Sequence, residues 1–133
     1  MAGRASRLAW YWLPLAAYAG TIFLLSSMSH PPVPSVNLPH FDKVLHFTEY
    51  AGFGFLLFRG LSMGGQGLGS RAAFGAAVLL GALYGATDEV HQMFVPHRDA
   101  DPFDLLADVV GTCSGAGLSW LLASRRRPRA TRA

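Results

Sequence analysis

Apolar residues along this chain fall into four long blocks, set apart by short stretches rich in Pro, Gly or charge. The first block is the clearest. No charged side chain occurs between Leu8 and Phe41, histidines set aside. Its apolar part, Leu8 to about Met28, has the roughly 20 residues that a helix needs to cross a bilayer. Trp10, Tyr11 and Trp12 near its start suit the headgroup level, where amphipathic rings collect. Arg4 and Arg7 ahead of an apolar run would also fit a secretory signal, but the run is long for an h-region and no clear A-x-A site follows. The expectation is an uncleaved first helix over about 8–28. Pro31, Pro32, Pro34 and Pro39 then make His30–His40 a loop, because Pro lacks the amide donor and pushes its predecessor toward extended backbone. Asp42 sits where an N-cap or first-turn acid belongs, at the start of a second helix over about 42–61. Gly64, Gly65, Gly67 and Gly69 read as a turn. A third helix follows over about 71–94, with Pro96 ending it. Pro102 and Asp104 open a fourth, about 103–124, and a basic tail, expected to be disordered, covers 125–133.

Composition agrees. Hydrophobic residues make up 51% of the chain and charged residues only 14%, against roughly 25% charged in soluble domains. The predicted fold is all-α: one integral membrane four-helix bundle over 1–133. Charge then orients it. The eight carboxylates lie in two windows, Asp42–Glu49 and Asp88–Asp108. Every Lys and Arg except Lys43 and Arg98 lies outside those windows. With Arg4, Arg7, Arg59, Arg71 and the arginines from Arg125 onward on the cytoplasmic side, both termini are cytoplasmic. The loops His30–Phe41 and Val95–Asp101 are then external. The net charge of +3 is no argument for nucleic acid, since the basic residues flank apolar segments and follow the positive-inside pattern. Cys113 stands alone, which excludes an intrachain disulfide and a cysteine-built metal site.

Helical spacing sorts the polar residues into faces. Asp42, His46, Glu49 and Tyr50 share one face of the second helix, and Lys43 borders it. Tyr84, Asp88 and Gln92 share a face of the third, flanked by Glu89 and His91. Asp104 and Asp108 share a face of the fourth with Gly111 and Gly115, small residues that let another helix come close. At ~1.5 Å rise per residue, Glu49 lies about 10 Å below Asp42, Asp88 about 9 Å below Phe94 and Asp108 about 6 Å below Asp104. The three faces thus reach the same outer third of a bilayer. They could line one outward pocket, roofed by the loop carrying His97, Arg98, Asp99 and Asp101. Phe41-Asp42-Lys43 and Phe103-Asp104-Leu105 also echo each other after Pro-bearing loops, which would put Asp42 and Asp104 at equivalent positions. Plainer roles exist: Asp42 and Asp104 as helix caps, His46 as a bond to a neighbouring helix, Tyr50 and Tyr84 as packing residues with satisfied hydroxyls. Adjacent Asp88 and Glu89 are harder to dismiss, because unpaired acids at membrane depth cost about 2.5–3.5 kcal/mol each. A structural role for them needs partners, and the candidates are Arg98, Lys43 and His46.

These residues resemble the VanZ-like family of small bacterial membrane proteins, named for a protein linked to teicoplanin (glycopeptide) resistance. The family pattern D-K-x-x-H-F-x-x-Y is similar to Asp42-Lys43-Val44-Leu45-His46-Phe47 with Tyr50. Its second block, D-E-x-x-Q-x-F-x-P-x-R-x-x-D-x-x-D-x-x-x-N-x-x-G, is similar to Asp88-Glu89 through Gln92, Phe94, Pro96, Arg98, Asp101, Asp104 and Gly111. Two positions depart from it. His97 stands where the family commonly has Gly, which puts the loop turn in question. Asp108 stands where it usually has Asn, which adds a carboxylate.

The reading that follows is an outward site for a lipid-linked or peptidoglycan-related headgroup, in a multi-pass protein of the bacterial cytoplasmic membrane that modulates glycopeptide susceptibility. Its ligand-binding residues are Asp42, Lys43, His46, Glu49, Tyr50, Asp88, Glu89, Gln92, Arg98, Asp101, Asp104 and Asp108. Arg98 and Lys43 would meet phosphate or carboxylate. The acids Asp88, Glu89, Asp104 and Asp108 would hold amines, hydroxyls or a divalent cation. Were there chemistry, His46 or Glu89 would be the general base. Membrane lipids are the expected partners, and a homo-oligomer is open. No cofactor and no metal ligand set is assigned. Three alternatives stand beside this reading. One is a metal-dependent hydrolase or transferase using His46-x-x-Glu49 and Asp88-Glu89-x-His91. Another is a small proton-coupled transporter. The last is an adaptor whose polar faces only hold helices together.

Overall fold

The computed structural model describes residues 3–32, 38–64 and 67–125, with Arg4 through its backbone alone. These form four helices: α1 (Arg4–Ser26), α2 (Phe41–Met63), α3 (Ser70–Gln92) and α4 (Pro102–Arg125). The centre of the first predicted loop, part of the glycine turn and the tail from residue 126 onward lie outside the described residues.

Two stripes explain the packing. On α3 the buried positions are Ala73, Ala77, Gly81, Gly85, Asp88, Glu89 and Gln92, close to one per turn. On α4 they are Asp104, Asp108, Gly111, Thr112, Gly115, Ala116 and Ser119. Each stripe is small and uncharged toward one end of the molecule and acidic toward the other. The acidic end gathers the C-termini of α1 and α3 and the N-termini of α2 and α4. The opposite end carries the glycine turn.

Closest of all, α2 lies along α4. A Cβ at Gly111 would strike the Phe47 carbonyl oxygen, and one at Gly115 would strike the Ala51 carbonyl oxygen. The spacing Gly111-x-x-x-Gly115 thus admits a helix backbone, and that helix is α2. Below this contact Tyr50, Phe53, Leu57 and Phe58 of α2 fill the apolar half of the core with Leu15, Ile22, Ala73, Ala77 and Ala116.

The first helix is bound differently. Most of its surface is exposed, and besides Leu15 and Ile22 it is tied by bonds between side chains and backbone. Trp12 Nε1 donates to the Gly64 carbonyl at 3.2 Å, Tyr18 Oη to the Glu49 carbonyl at 3.0 Å, and Tyr84 Oη to the Ala19 carbonyl at 2.7 Å. Ser27 Oγ meets His91 Nε2 at 3.0 Å. Tyr84 is therefore the satisfied packing residue expected of it. His91 is turned to α1 rather than grouped with the acids.

Burial is inverted relative to a soluble bundle. Asp88, Glu89, Gln92, Asp104 and Asp108 are buried, while Leu13, Phe23, Leu24, Leu79, Leu83, Leu106 and Leu121 are exposed. Two helices, over Ala5–Ser26 and Pro102–Arg125, are long and apolar enough to cross a membrane. The other two carry Asp42, Lys43, Glu49 and Arg59 on α2 and Arg71, Asp88 and Glu89 on α3.

Candidate functional site

At the acidic end a cavity of about 160 Å³ opens between the helices. Its walls are Leu25, Ser26 and Pro31 from α1 and the segment after it, Asp42, Leu45, His46 and Glu49 from α2, Asp88 and Gln92 from α3, and Arg98 from the α3–α4 connection. Six of the residues expected at the site (Asp42, His46, Glu49, Asp88, Gln92 and Arg98) therefore share one cavity. The α1 wall was not legible in the sequence. Ser26 is buried with an unpartnered hydroxyl, yet a lone Ser at the end of an apolar run gives no periodic signal.

Beside the cavity Lys43 is a hub. Its Nζ meets Asp42 Oδ2 at 2.8 Å and Asp104 Oδ1 at 2.8 Å, and it also pairs with Asp101. The Asp104 contact is an ion pair rather than an aligned hydrogen bond, for Oδ1 lacks a hydrogen-bond partner. Asp42 and Asp104 thus meet on a single ammonium. Lys43 borders its face on the helical wheel, but in three dimensions it is central.

Asp101 ties three helices. Its Oδ1 accepts the Phe103 amide at 2.8 Å and so caps α4 ahead of Pro102. Its own amide donates to Glu89 Oε2 at 2.8 Å on α3, and its other oxygen faces Lys43 on α2. The Lys43 ammonium and the Phe103 amide hold the Asp101 carboxyl below the usual carboxylate range. The α4 cap is therefore Asp101, while Asp42 and Asp104 sit in first turns.

The cationic partners that a purely structural role for Asp88 and Glu89 would need, Arg98, Lys43 or His46, do not pair with them. Among the described residues neither acid has a cation within 4.0 Å, because Lys43 is drawn to Asp42, Asp101 and Asp104 and His46 to Asp108. Asp88 Oδ2 instead accepts from Gln92 Nε2 at 3.1 Å. His46 Nδ1 lies 2.9 Å from Asp108 Oδ1. Glu89 and Asp108 stand behind His46, away from the cavity wall. Tyr50 is fully buried beneath them, its ring against Phe53 and Tyr84, with its hydroxyl unpartnered.

Over the site, His97 adopts a left-handed backbone, φ 63°. This is the position where the resemblance expects Gly, and left-handed φ is the reason Gly suits it. A side chain there costs about 1–2 kcal/mol, and the His97 ring stacks on His30 at 5.7 Å. The turn survives the departure.

A second cavity, about 280 Å³ and largely apolar, lies between α1 and α2. It is lined by Tyr18, Thr21, Ile22 and Thr48, and it shares Leu25, Leu45 and Glu49 with the polar one. A family model described as VanZ/LLP1 matches residues 5–123. No curated protein and no solved structure gives a significant match.

Proposed function

Because this chain belongs to the VanZ/LLP1 family, we propose that it is a multi-pass protein of the bacterial cytoplasmic membrane whose polar cavity binds the headgroup of a lipid-linked cell-envelope molecule. Two helices apolar enough to cross a membrane and an exposed shell of Leu and Phe around buried acids support the membrane placement. So do Arg7, Arg59, Arg71 and Arg125, which all belong to the glycine-turn end. By the positive-inside pattern that end is cytoplasmic and the acidic end faces out.

The observation that carries the binding reading is the wall of Leu25, Leu45 and Glu49 that the two cavities share. A chamber ringed by charged side chains beside an apolar groove on the bundle's flank matches an amphiphile, with the headgroup in one and hydrocarbon in the other. At about 160 Å³ the polar chamber is smaller than a drug-sized pocket of roughly 300–1,000 Å³, so it suits a small headgroup or one part of a larger one. With Lys43 held by three carboxylates, Arg98 is the cation for a phosphate, which a guanidinium grips bidentately. Asp42, Glu49 and Asp88 then accept from hydroxyls or amines of the same headgroup. Holding such a lipid would alter what the outer face offers to a glycopeptide such as teicoplanin.

Native mass spectrometry of the full chain released from its membrane tests this. Wild type should carry a lipid adduct. Arg98→Gln should deplete it about tenfold, the loss of one charge-assisted bond. Bare protein in wild type, or equal adducts in both, sinks the reading. Deleting the gene should shift teicoplanin susceptibility, with rescue by wild type and not by Arg98→Gln.

A further inference from the structure

Two groups of acids approach closely enough to hold a cation, and they differ in what already occupies them. Asp42, Asp101 and Asp104 surround the Lys43 ammonium, so that group is served by its own lysine. Among the described residues no Lys or Arg pairs with Glu89 or Asp108. We propose that His46, Glu89 and Asp108 form a divalent-cation site with one imidazole and two carboxylates.

One ligand comes from each of α2, α3 and α4, and one donor atom from each lies within 4.8 Å of the others. Three donors bound to one ion at about 2.0–2.2 Å stand roughly 3–3.8 Å from one another, so closure draws the side chains together by up to about 1 Å. The second observation is buried and unsatisfied. Asp108 is 0% exposed and Glu89 6% exposed, and each has one oxygen without a partner, Oδ2 and Oε1 respectively. Their other oxygens are already used. Glu89 Oε2 accepts the Asp101 amide at 2.8 Å, and Asp108 Oδ1 faces His46 Nδ1 at 2.9 Å. The Asp101 amide orients Glu89 as an outer bond orients a metal ligand, while Asp108 and His46, already in contact, would bind the ion side by side. Asp108 Oδ2 looks onto α3 over Gly85, where a Cβ would come within 2.9 Å, one turn from Glu89. Buried carboxylates need a counter-charge, and an ion bound with His46 neutral would supply it to both.

An imidazole with two carboxylates suits Zn²⁺ or Mn²⁺ better than Mg²⁺ or Ca²⁺, which favour oxygen alone. His46 also lines the cavity, so the ion would sit one side chain behind its wall. The donors come from three helices, which is why neither His46-x-x-Glu49 nor Asp88-Glu89-x-His91 marks the site in the sequence. Asp108, the carboxylate where the family resemblance expects Asn, completes it. The site stands whether or not the cavity takes a lipid headgroup.

The test uses the full chain in detergent, stripped with chelator and titrated with Mn²⁺ and Zn²⁺. Calorimetry gives stoichiometry, Mn²⁺ paramagnetic resonance reports coordination, and thermal midpoints report folding. Wild type should bind one equivalent and gain thermal stability. Asp108→Asn, which keeps shape and an acceptor for His46, should weaken binding at least tenfold, and Glu89→Gln likewise. Asp42→Asn and Arg98→Gln should change it less than threefold, so loss of the lipid adduct and loss of the metal separate. Should Asp108→Asn fail to fold, Glu89→Gln carries the comparison. Wild type that binds no ion, with protons neutralising the acids, overturns the proposal. So does binding that survives both ligand variants or that falls equally in Asp42→Asn.

Discussion

Replacing Lys43 by Met removes the one ammonium that Asp42, Asp101 and Asp104 share. The three pairs are not equal. Asp42 and Asp101 side chains are 59% and 36% exposed, so water can replace the lysine and neither pair adds much. Asp104 is 9% exposed and cannot recover its solvation. Breaking a buried pair by deleting one partner costs about 3–5 kcal/mol, and the 21% exposure of Lys43 argues for the lower limit. The expected loss is about 3 kcal/mol, a large part of the roughly 5–15 kcal/mol that holds a domain together. Asp104→Asn alone should cost less, since Lys43 keeps two acids. In the double variant the buried charge is gone, so the two effects should not add. Equilibrium unfolding in mixed micelles, followed by far-UV circular dichroism for all four proteins, gives the coupling energy, expected at about 2 kcal/mol. A coupling below about 0.5 kcal/mol, or a Lys43→Met loss under about 1 kcal/mol, would refute the reasoning and make Lys43 a solvated surface residue.

Two further predictions concern the acidic end and the helix contact. Asp101 has its carboxyl held below the ordinary value by Lys43 and the Phe103 amide, so its contribution is fully present above the unfolded carboxylate pKa of about 3.9 and is lost as pH falls through the lowered folded value. The thermal-midpoint gap between wild type and Asp101→Asn should therefore be constant above about pH 5 and shrink on acidification below about pH 4; a gap independent of pH would contradict it. Gly115→Ala drives a Cβ into the Ala51 backbone, which should outweigh the helix-propensity gain of about 1 kcal/mol and lower stability by about 1–2 kcal/mol. Gly20→Ala, with nothing within 4 Å of its Cβ, should instead raise stability by up to about 1 kcal/mol, and equal signs in the two would show that the α2–α4 contact does not depend on Gly115.

Helix number, helix limits to within a few residues and the segregation of charge were legible in the chain itself, because they rest on local periods. Apolar runs long enough for helices, Pro and Gly between them, and acids recurring every three or four residues need no knowledge of neighbours. The glycine face of α4 was legible for the same reason, although its partner was not. Membership of one cavity was also foreshadowed for Asp42, His46, Glu49, Asp88, Gln92 and Arg98, since equal depth on three helices limits where their side chains can meet.

Pairing was decided only by the tertiary structure. On a helical wheel Lys43 is peripheral, and Arg98 and Lys43 are equally available to Asp88 and Glu89. In the folded chain Lys43 reaches Asp42, Asp101 and Asp104 instead, so Asp88 turns to Gln92 and Glu89 to the Asp101 amide. His46, Glu89 and Asp108 meet across three helices and have no common spacing along the chain. Charge pairing depends on distances of a few ångströms between elements far apart in sequence, and those distances are set by the small contact face of Gly111 and Gly115 against α2. Local pattern determines what each helix carries; the depth to which one helix sinks into another determines which charges are left facing each other.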